Sequence, residues 1–155
     1  MTGPRLVLGV DPGLGGALAL VDPDGPRLVD VLDMPLVRWG KAAIVDGAVL
    51  LDWLAGRAIA AIVVEAVASR PGQGVASSFA FGRAVGGVEA VLAAIGPPLT
   101  HVTPQRWKKR AGLASAKADS LALARLRFGA REEFRLKKHE GRAEAALLAI
   151  YGRPT

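Results

Sequence analysis

The sequence predicts an α/β fold: a five-stranded mixed sheet, three strands antiparallel and two parallel, flanked by helices. Three observations carry that expectation. Apolar runs of strand length at 5–10, 17–21 and 27–33 follow one another with only short turns between them. Two further short apolar runs, at 60–64 and 99–102, each come after a helix-length segment. Finally, the 155 residues are 51% hydrophobic and 22% charged, which suits one globular domain over 1–155. Aromatic residues make up only 5%, so aliphatic side chains and alanine must fill the core.

Each element has its own signal. Arg5–Val10 reads as a buried strand ending at Asp11, and the glycines of "DPGLGG" permit a tight reversal into a second strand, Ala17–Val21. Asp22-Pro-Asp-Gly-Pro26 is a turn by composition, and Arg27–Asp33 completes an antiparallel meander. From Lys41 to Arg57, Ile44, Val45, Ala48, Leu51 and Leu54 recur at helical spacing, which predicts a helix. Ala60–Val64 is a short, fully apolar strand ending at Glu65, apolar enough to be central in the sheet. Ser69–Gly74 is a loop, Val75–Ile95 a long helix and Leu99–Val102 the fifth strand. The remainder reads as a turn around Pro104–Arg110 and helices over Ala116–Phe128 and Lys138–Ile150.

Composition narrows the function classes. The absence of cysteine excludes disulfides, zinc ribbons and thiol chemistry. Apolar stretches are interrupted by Asp52, Arg57, Glu65 or Glu89, so no membrane span is expected. The first strand is expected too early for a leader to precede it, which places the protein in the cytoplasm. "GVDPGLGG" lacks the Gly-x-Gly-x-x-Gly spacing, and no Walker lysine follows it, so no nucleotide cofactor is expected. Charge is unevenly spread. Of the net +6, residues 101–142 hold twelve Lys/Arg against four Asp/Glu, while the rest of the chain is slightly acidic. A basic C-terminal third fits a polyanion partner, nucleic acid first among them, or else a solvated arginine-rich surface.

Asp11 and Glu65 each follow a run of strand-forming apolar residues. If those two strands are neighbours, their ends bring the carboxylates together, and a divalent cation relieves the repulsion. Oxygen donors of this kind suit Mg²⁺ or Mn²⁺. Taken singly, Asp11 reads equally as the start of an Asp-Pro-Gly turn and Glu65 as ordinary surface. In "KKHEGRAEAALLAIYG", Glu140 and Glu144 are four apart on one helical face, and Glu144 sits among apolar residues. Four such acids can enclose two metals about 4 Å apart, the arrangement used for in-line phosphodiester hydrolysis. His101 and His139 read as structural or surface histidines.

The motifs "GVDPGLGGALALVD", "VVEAV", "RPGQGVASSFAFGRAVG", "HVTPQRWKK" and "HEGRAEAALLAIYG" together resemble the RuvC family of Holliday junction resolvases, in the ribonuclease H-like superfamily. The likeness runs from about Leu6 to Gly152 and is nearest the short bacteriophage-type members. It implies a homodimer that cleaves four-way DNA junctions by paired nicks with two divalent metals, and a role on replication intermediates. By motif position it makes Asp11 and Glu65 the first two catalytic acids and metal ligands, Glu144 the last, and Glu140 the third. Two features depart from cellular members. There the helix pair is usually Asp at spacing three, and an aromatic wedge stands where this chain has Ala68.

Further residues fit a DNA-handling reading. Arg70 and Gln73 lie on a loop ahead of a helix, where backbone and side chain can reach a phosphate. Arg83, Arg106, Lys108, Lys109, Arg110 and Lys117 are candidate backbone contacts, and Lys109 and Lys117 approximately match family lysines near the scissile phosphate. Lys137, Lys138 and Arg142 share the helix region of the last two acids. Trp107 among them is expected in the core. Gly82, Gly86 and Gly87 expose helix backbone, and with Phe79 nearby Gly82 and Gly86 form the candidate dimer contact, close packing offsetting the roughly 1 kcal/mol each glycine costs. Two other readings stand beside the nuclease. One is a non-catalytic branched-DNA-binding protein of the same fold. The other is a nucleotide-binding protein of the actin-like superfamily, whose members need two such domains.

Overall fold

The chain alternates strands and helices in the order β1 (Leu6–Asp11), β2 (Ala17–Asp22), β3 (Arg27–Asp33), β4 (Leu36–Trp39), β5 (Ala42–Val45), α1 (Gly47–Leu54), β6 (Ile59–Glu65), α2 (Val75–Ala94), β7 (Leu99–Val102), α3 (Pro104–Arg110), α4 (Ser120–Phe128) and α5 (Glu140–Tyr151). This is a computed structural model, and it describes residues 5–113 and 119–155. The main sheet has the strand order β3-β2-β1-β6-β7. β1, β2 and β3 pair antiparallel, with Leu8 opposite Leu20 and Leu20 opposite Asp30. β6 joins β1 in parallel, Val10 beside Val64, and β7 joins β6 in parallel, Glu65 beside Val102. The mixed five-stranded sheet is the expected fold class.

The helix expected over Lys41–Arg57 is corrected. Its first part is β5, the second strand of a β-hairpin whose first strand, β4, precedes the span, with Leu36 paired to Val45 and Trp39 to Ala42. Gly40 turns the hairpin at a φ of 62°, a conformation that side chains with a Cβ rarely adopt. β-branched Ile44 and Val45 fit a strand, and the helix begins only after Asp46, whose carboxylate accepts from the Ala48 and Val49 N–H groups. The turn at Pro104–Arg110 is a helix capped by the Thr103 hydroxyl. α4 starts at Ser120, and the part of its expected span before residue 119 lies outside the described residues. A tight helical turn at Lys137–His139 leads into α5.

Two apolar layers hold the sheet. On one face Leu8, Val10, Leu18, Leu20 and Ile62 meet Leu50 of α1 and Val88 and Leu92 of α2. On the other, α5 lies on β1 through Ala145, Ala146 and Ala149, all fully buried. Backbone meets backbone here. A Cβ at Gly9 would overlap the Ala145 carbonyl oxygen and lie 2.8 Å from the Ala149 nitrogen. α2, with a mean hydropathy of 1.3, is long and apolar enough to cross a bilayer by length and composition alone. Here it packs one face on the sheet through Ala84, Val88 and Leu92.

Candidate active site

Strand alternation places the first two acids. Val7 and Val63 belong to the α5 layer, so Asp11 and Glu65, an even number of residues further on, face the same way. Because β1 and β6 are adjacent and parallel, both carboxylates emerge at one edge of the sheet. α5 brings Glu144 to them. Its first turn sits so low that a Cβ at Gly141 would lie 2.9 Å from the Gly15 carbonyl oxygen and 3.3 Å from Asp11 Oδ2.

Burial and neighbouring carboxylates raise the proton affinity of Asp11 and Glu65. The Asp11 carboxyl is pushed up to about 7, first by burial, then by the charges of Glu65 and Glu144, against a bond from the Gly13 N–H and the charge of Lys108. Glu65 is only 7% exposed and its carboxyl is also raised. Burial is the largest cause, opposed by the indole N–H of Trp107, which donates to Glu65 Oε1 at 2.8 Å, and reinforced by Glu144. Glu144 itself is held by Lys108, whose Nζ lies 2.8 Å from Oε1, and by the Ser120 hydroxyl, which donates to the same oxygen at 3.3 Å. Burial alone would lower the Lys108 ammonium. Its hydrogen bond to Glu144 and the charges of Glu144, Glu65 and Glu140 outweigh burial and raise it.

The site is thus a desolvated set of hard oxygen donors balanced by one built-in cation. That donor chemistry fits a divalent ion such as Mg²⁺ or Mn²⁺. The carboxylates do not stand as a closed cage. Among the described residues no three acidic or histidine side chains converge on one point, and Glu144 is turned toward Lys108 and Ser120. Glu140, the expected third acid, is exposed at the start of α5 and is not among the leading causes of the Asp11 or Glu65 shifts.

The remaining candidates fall into three groups. Arg70 and Gln73 line an open cleft beside Glu65 with Phe81, Thr103 and Gln105, and the Gln73 side chain accepts from the Arg70 N–H, closing the loop on itself. Arg106, Lys109, Lys137 and Lys138 are exposed. Lys117 lies outside the described residues. Two arginines of the set also make intramolecular bonds. Arg142 grips both oxygens of Asp33 at 2.6 and 2.7 Å, tying α5 to the end of β3. Arg110 donates to the carbonyls of Tyr151 and Arg153, fastening the end of α5. Arg83 lies over the ring of Trp39 on the hairpin. Phe79 is exposed, and Cβ positions at Gly82 and Gly86 meet nothing within 4 Å, leaving that face of α2 open.

Trp107 is fully buried, as expected, but its bond to Glu65 is invisible in the sequence. Ser120 and the Glu144–Lys108 pair were equally hidden. Lys108 stood out in the sequence only as one of a basic set, not as a partner of an acid. Trp107→Phe fills most of the same space and leaves Glu65 without its donor. We expect roughly 1–3 kcal/mol of destabilisation at neutral pH in chemical denaturation, and a further rise of the Glu65 pKa detectable by carboxyl-carbon NMR titration. An unchanged Glu65 titration would show that the bond does not act on the carboxylate.

Comparisons with known proteins reach this chain through shape. No family model matches it, and no curated protein matches it in sequence. Among solved structures it is similar to Thermus thermophilus RuvC, at 22% identity over 96% of each chain with a TM-score of 0.66. It is also similar to T. thermophilus RuvC in complex with a Holliday junction substrate, at 22% identity over 96% of this chain and 95% of that one, TM-score 0.65. The yeast mitochondrial Holliday junction resolvase Ydc2 matches at 16% identity over 94% of this chain and 76% of its own, TM-score 0.58. From β1 through α5, then, the chain has the fold of the RuvC-type Holliday junction resolvases.

Proposed function

We propose that the protein is a divalent-metal-dependent endonuclease that cuts branched DNA, four-way junctions in particular, by paired nicks. The observation that carries the reading is that two strand ends and one helix bring Asp11, Glu65 and Glu144 within electrostatic reach of one another at one edge of the sheet, Asp11 and Glu65 desolvated and Lys108 the counter-charge. A buried set of like charges is unfavourable for folding unless a cation completes it. Asp11, Glu65 and Glu144 would hold the metal, with Glu140 placed to join from the exposed end of α5. Mg²⁺ or Mn²⁺ there would supply an activated water and a counter-charge for the leaving 3′ oxygen. Asp11, which feels the charges of both Glu65 and Glu144, would be the ligand most in need of the cation. Trp107 aims Glu65, Ser120 and Lys108 aim Glu144, and the exposed lysines Lys109, Lys137 and Lys138 hold the phosphate backbone without reading sequence.

Paired nicks require two sites. The open face of α2, with Phe79, Gly82 and Gly86, is the surface on which a second copy would pack to form a homodimer. The similarity in shape to RuvC and Ydc2 supports the branched-DNA reading, and the cluster of acids supports chemistry over binding alone. The deciding assay offers four-way, three-way and linear duplex DNA to the protein in Mg²⁺ and in Mn²⁺. We expect symmetric nicks in the four-way substrate and none in EDTA. Binding of the junction without cleavage in either metal would instead favour a branched-DNA-binding protein that does no chemistry.

A further inference from the structure

The β4–β5 hairpin has no part in the chemistry above, yet it carries an exposed aromatic ring with a cation over it. Trp39 stands at its tip with 69% of its surface exposed. The guanidinium of Arg83 lies over one face of the ring, 5.2 Å from the centroid. Stacked this way, the guanidinium keeps its N–H edge free for an anion. Among the described residues Arg83 has no ion-pair partner. The hairpin itself adds Arg38 and Lys41, and no acidic residue occurs between Met34 and Val45.

The tip is also well placed. β5 runs along α2, since a Cβ at Gly87 would lie 3.6 Å from Val45 Cβ and one at Gly47 would lie 3.3 Å from Val91 Cγ2. With Arg83 at Trp39, this order puts the tip toward the N-terminal end of α2. That is the end entered from Glu65 through the loop containing Arg70. The strand leading into the hairpin leaves the sheet at Asp33, which pairs with Ala17, which pairs with Asp11. Trp39 and the acids therefore share one edge of the sheet, on opposite layers.

We propose that the Trp39–Arg83 pair is a base-stacking contact for DNA: Trp39 receives an unstacked base at a branch point on its open face, and Arg83 takes the adjoining phosphate. A flat aromatic surface beside three cations and no acid complements a nucleobase on a polyanionic strand better than a second copy of the same basic hairpin. An intact duplex keeps its bases stacked, so the contact favours DNA with an unpaired or splayed nucleotide. The inference rests on the DNA-cutting reading for its ligand class.

The test is a binding titration in EDTA, where cleavage cannot intervene. Trp39 is a distinct reporter, because Trp107 is fully buried and Trp53 is held by Asp30 and covered by Arg57. We expect a four-way junction and a single strand to quench tryptophan emission, a linear duplex to quench it far less, and Trp39→Phe to lose most of the quench. Trp39→Ala should bind the junction at least about fivefold more weakly, Trp39→Phe within about twofold of the parent, and Arg83→Ala more weakly than Trp39→Phe. Equal affinity of Trp39→Ala and parent, or equal quenching by duplex and junction, overturns the stacking contact while leaving the nuclease reading intact. A change in sedimentation mass with Trp39→Ala, at unchanged DNA affinity, would assign the surface to self-association and overturn it too. If the parent binds no DNA at all, both readings fall together.

Discussion

Replacing Asp11 by Asn should abolish cleavage and, in the absence of metal, make the protein more stable. The two effects have one origin. In the folded chain the Asp11 carboxyl is pushed up to about 7 from an ordinary 3.8. Between those values the folded state holds a proton that the unfolded chain has released. Stability therefore falls as pH rises from about 4 through 7, and above 7 a constant penalty remains. A tenfold difference in proton affinity between the folded and unfolded chain is worth about 1.4 kcal/mol, so the penalty at pH 8 is on the order of a few kcal/mol. Asparagine removes it. We expect Asp11→Asn to melt roughly 5–10 °C above the parent in EDTA at pH 8, with the gap closing toward pH 4. Mg²⁺ or Mn²⁺ should raise the parent's Tm and leave that of the variant nearly unmoved. A variant that melts at or below the parent in EDTA would remove the electrostatic account, and retained cleavage would remove Asp11 from the chemistry.

The second large effect is expected at a residue without a side chain. Gly9→Ala adds one methyl group where the Ala145 carbonyl and the Ala149 nitrogen already stand. The neighbours are backbone of a buried helix, so no rotamer change can make room, and α5 must lift off β1 as a unit. Overpacking in a rigid core typically costs roughly 1–3 kcal/mol, and rigid backbone puts this case at about 3 or more. A drop in Tm of roughly 6–12 °C by calorimetry is expected. The lift also moves Glu144, so cleavage should fall at temperatures where the variant is still folded. Full activity in the folded variant would show that the site tolerates displacement of α5. Gly13→Ala, where a Cβ would make only an ordinary 3.8 Å contact with Phe81, serves as the comparison.

Much of this architecture was legible in the residues themselves. β1, β2, β3, β6 and β7 are apolar runs broken by turn chemistry, and the apolarity of β6 marked it as central, while its parallel pairing with β1, which brings Asp11 and Glu65 to one edge, is seen only in the fold. The hairpin was not legible. Ala42, Ala43, Ile44 and Val45 fit a helical period as well as a strand, and the deciding features are the conformation of Gly40 and the cap formed by Asp46. In the site, Asp11, Glu65 and Glu144 could be picked out because acids at strand ends or among buried alanines are conspicuous. The bonds that Arg142 and Arg110 make within the fold were hidden for the opposite reason. An arginine in a basic stretch looks like a phosphate ligand, and only tertiary structure reveals that Asp33 or a helix-terminal carbonyl has taken it. The grip of Ser120 and Lys108 on Glu144 joins three helices and has no local signature at all.

The two faces of the sheet will respond differently to sequence drift. The α2 side is filled with leucine, isoleucine and valine, whose volumes can be exchanged among neighbours. On the α5 side, the seam where the helix crosses β1 is alanine and bare backbone with no space for a larger residue, although Val63, Trp107 and Phe134 fill the layer around it. Random substitution should therefore be absorbed on the first face and eliminated on the second. The acids are mounted on the second, so the positions that aim them would stay recognisable long after the rest of the sequence had changed.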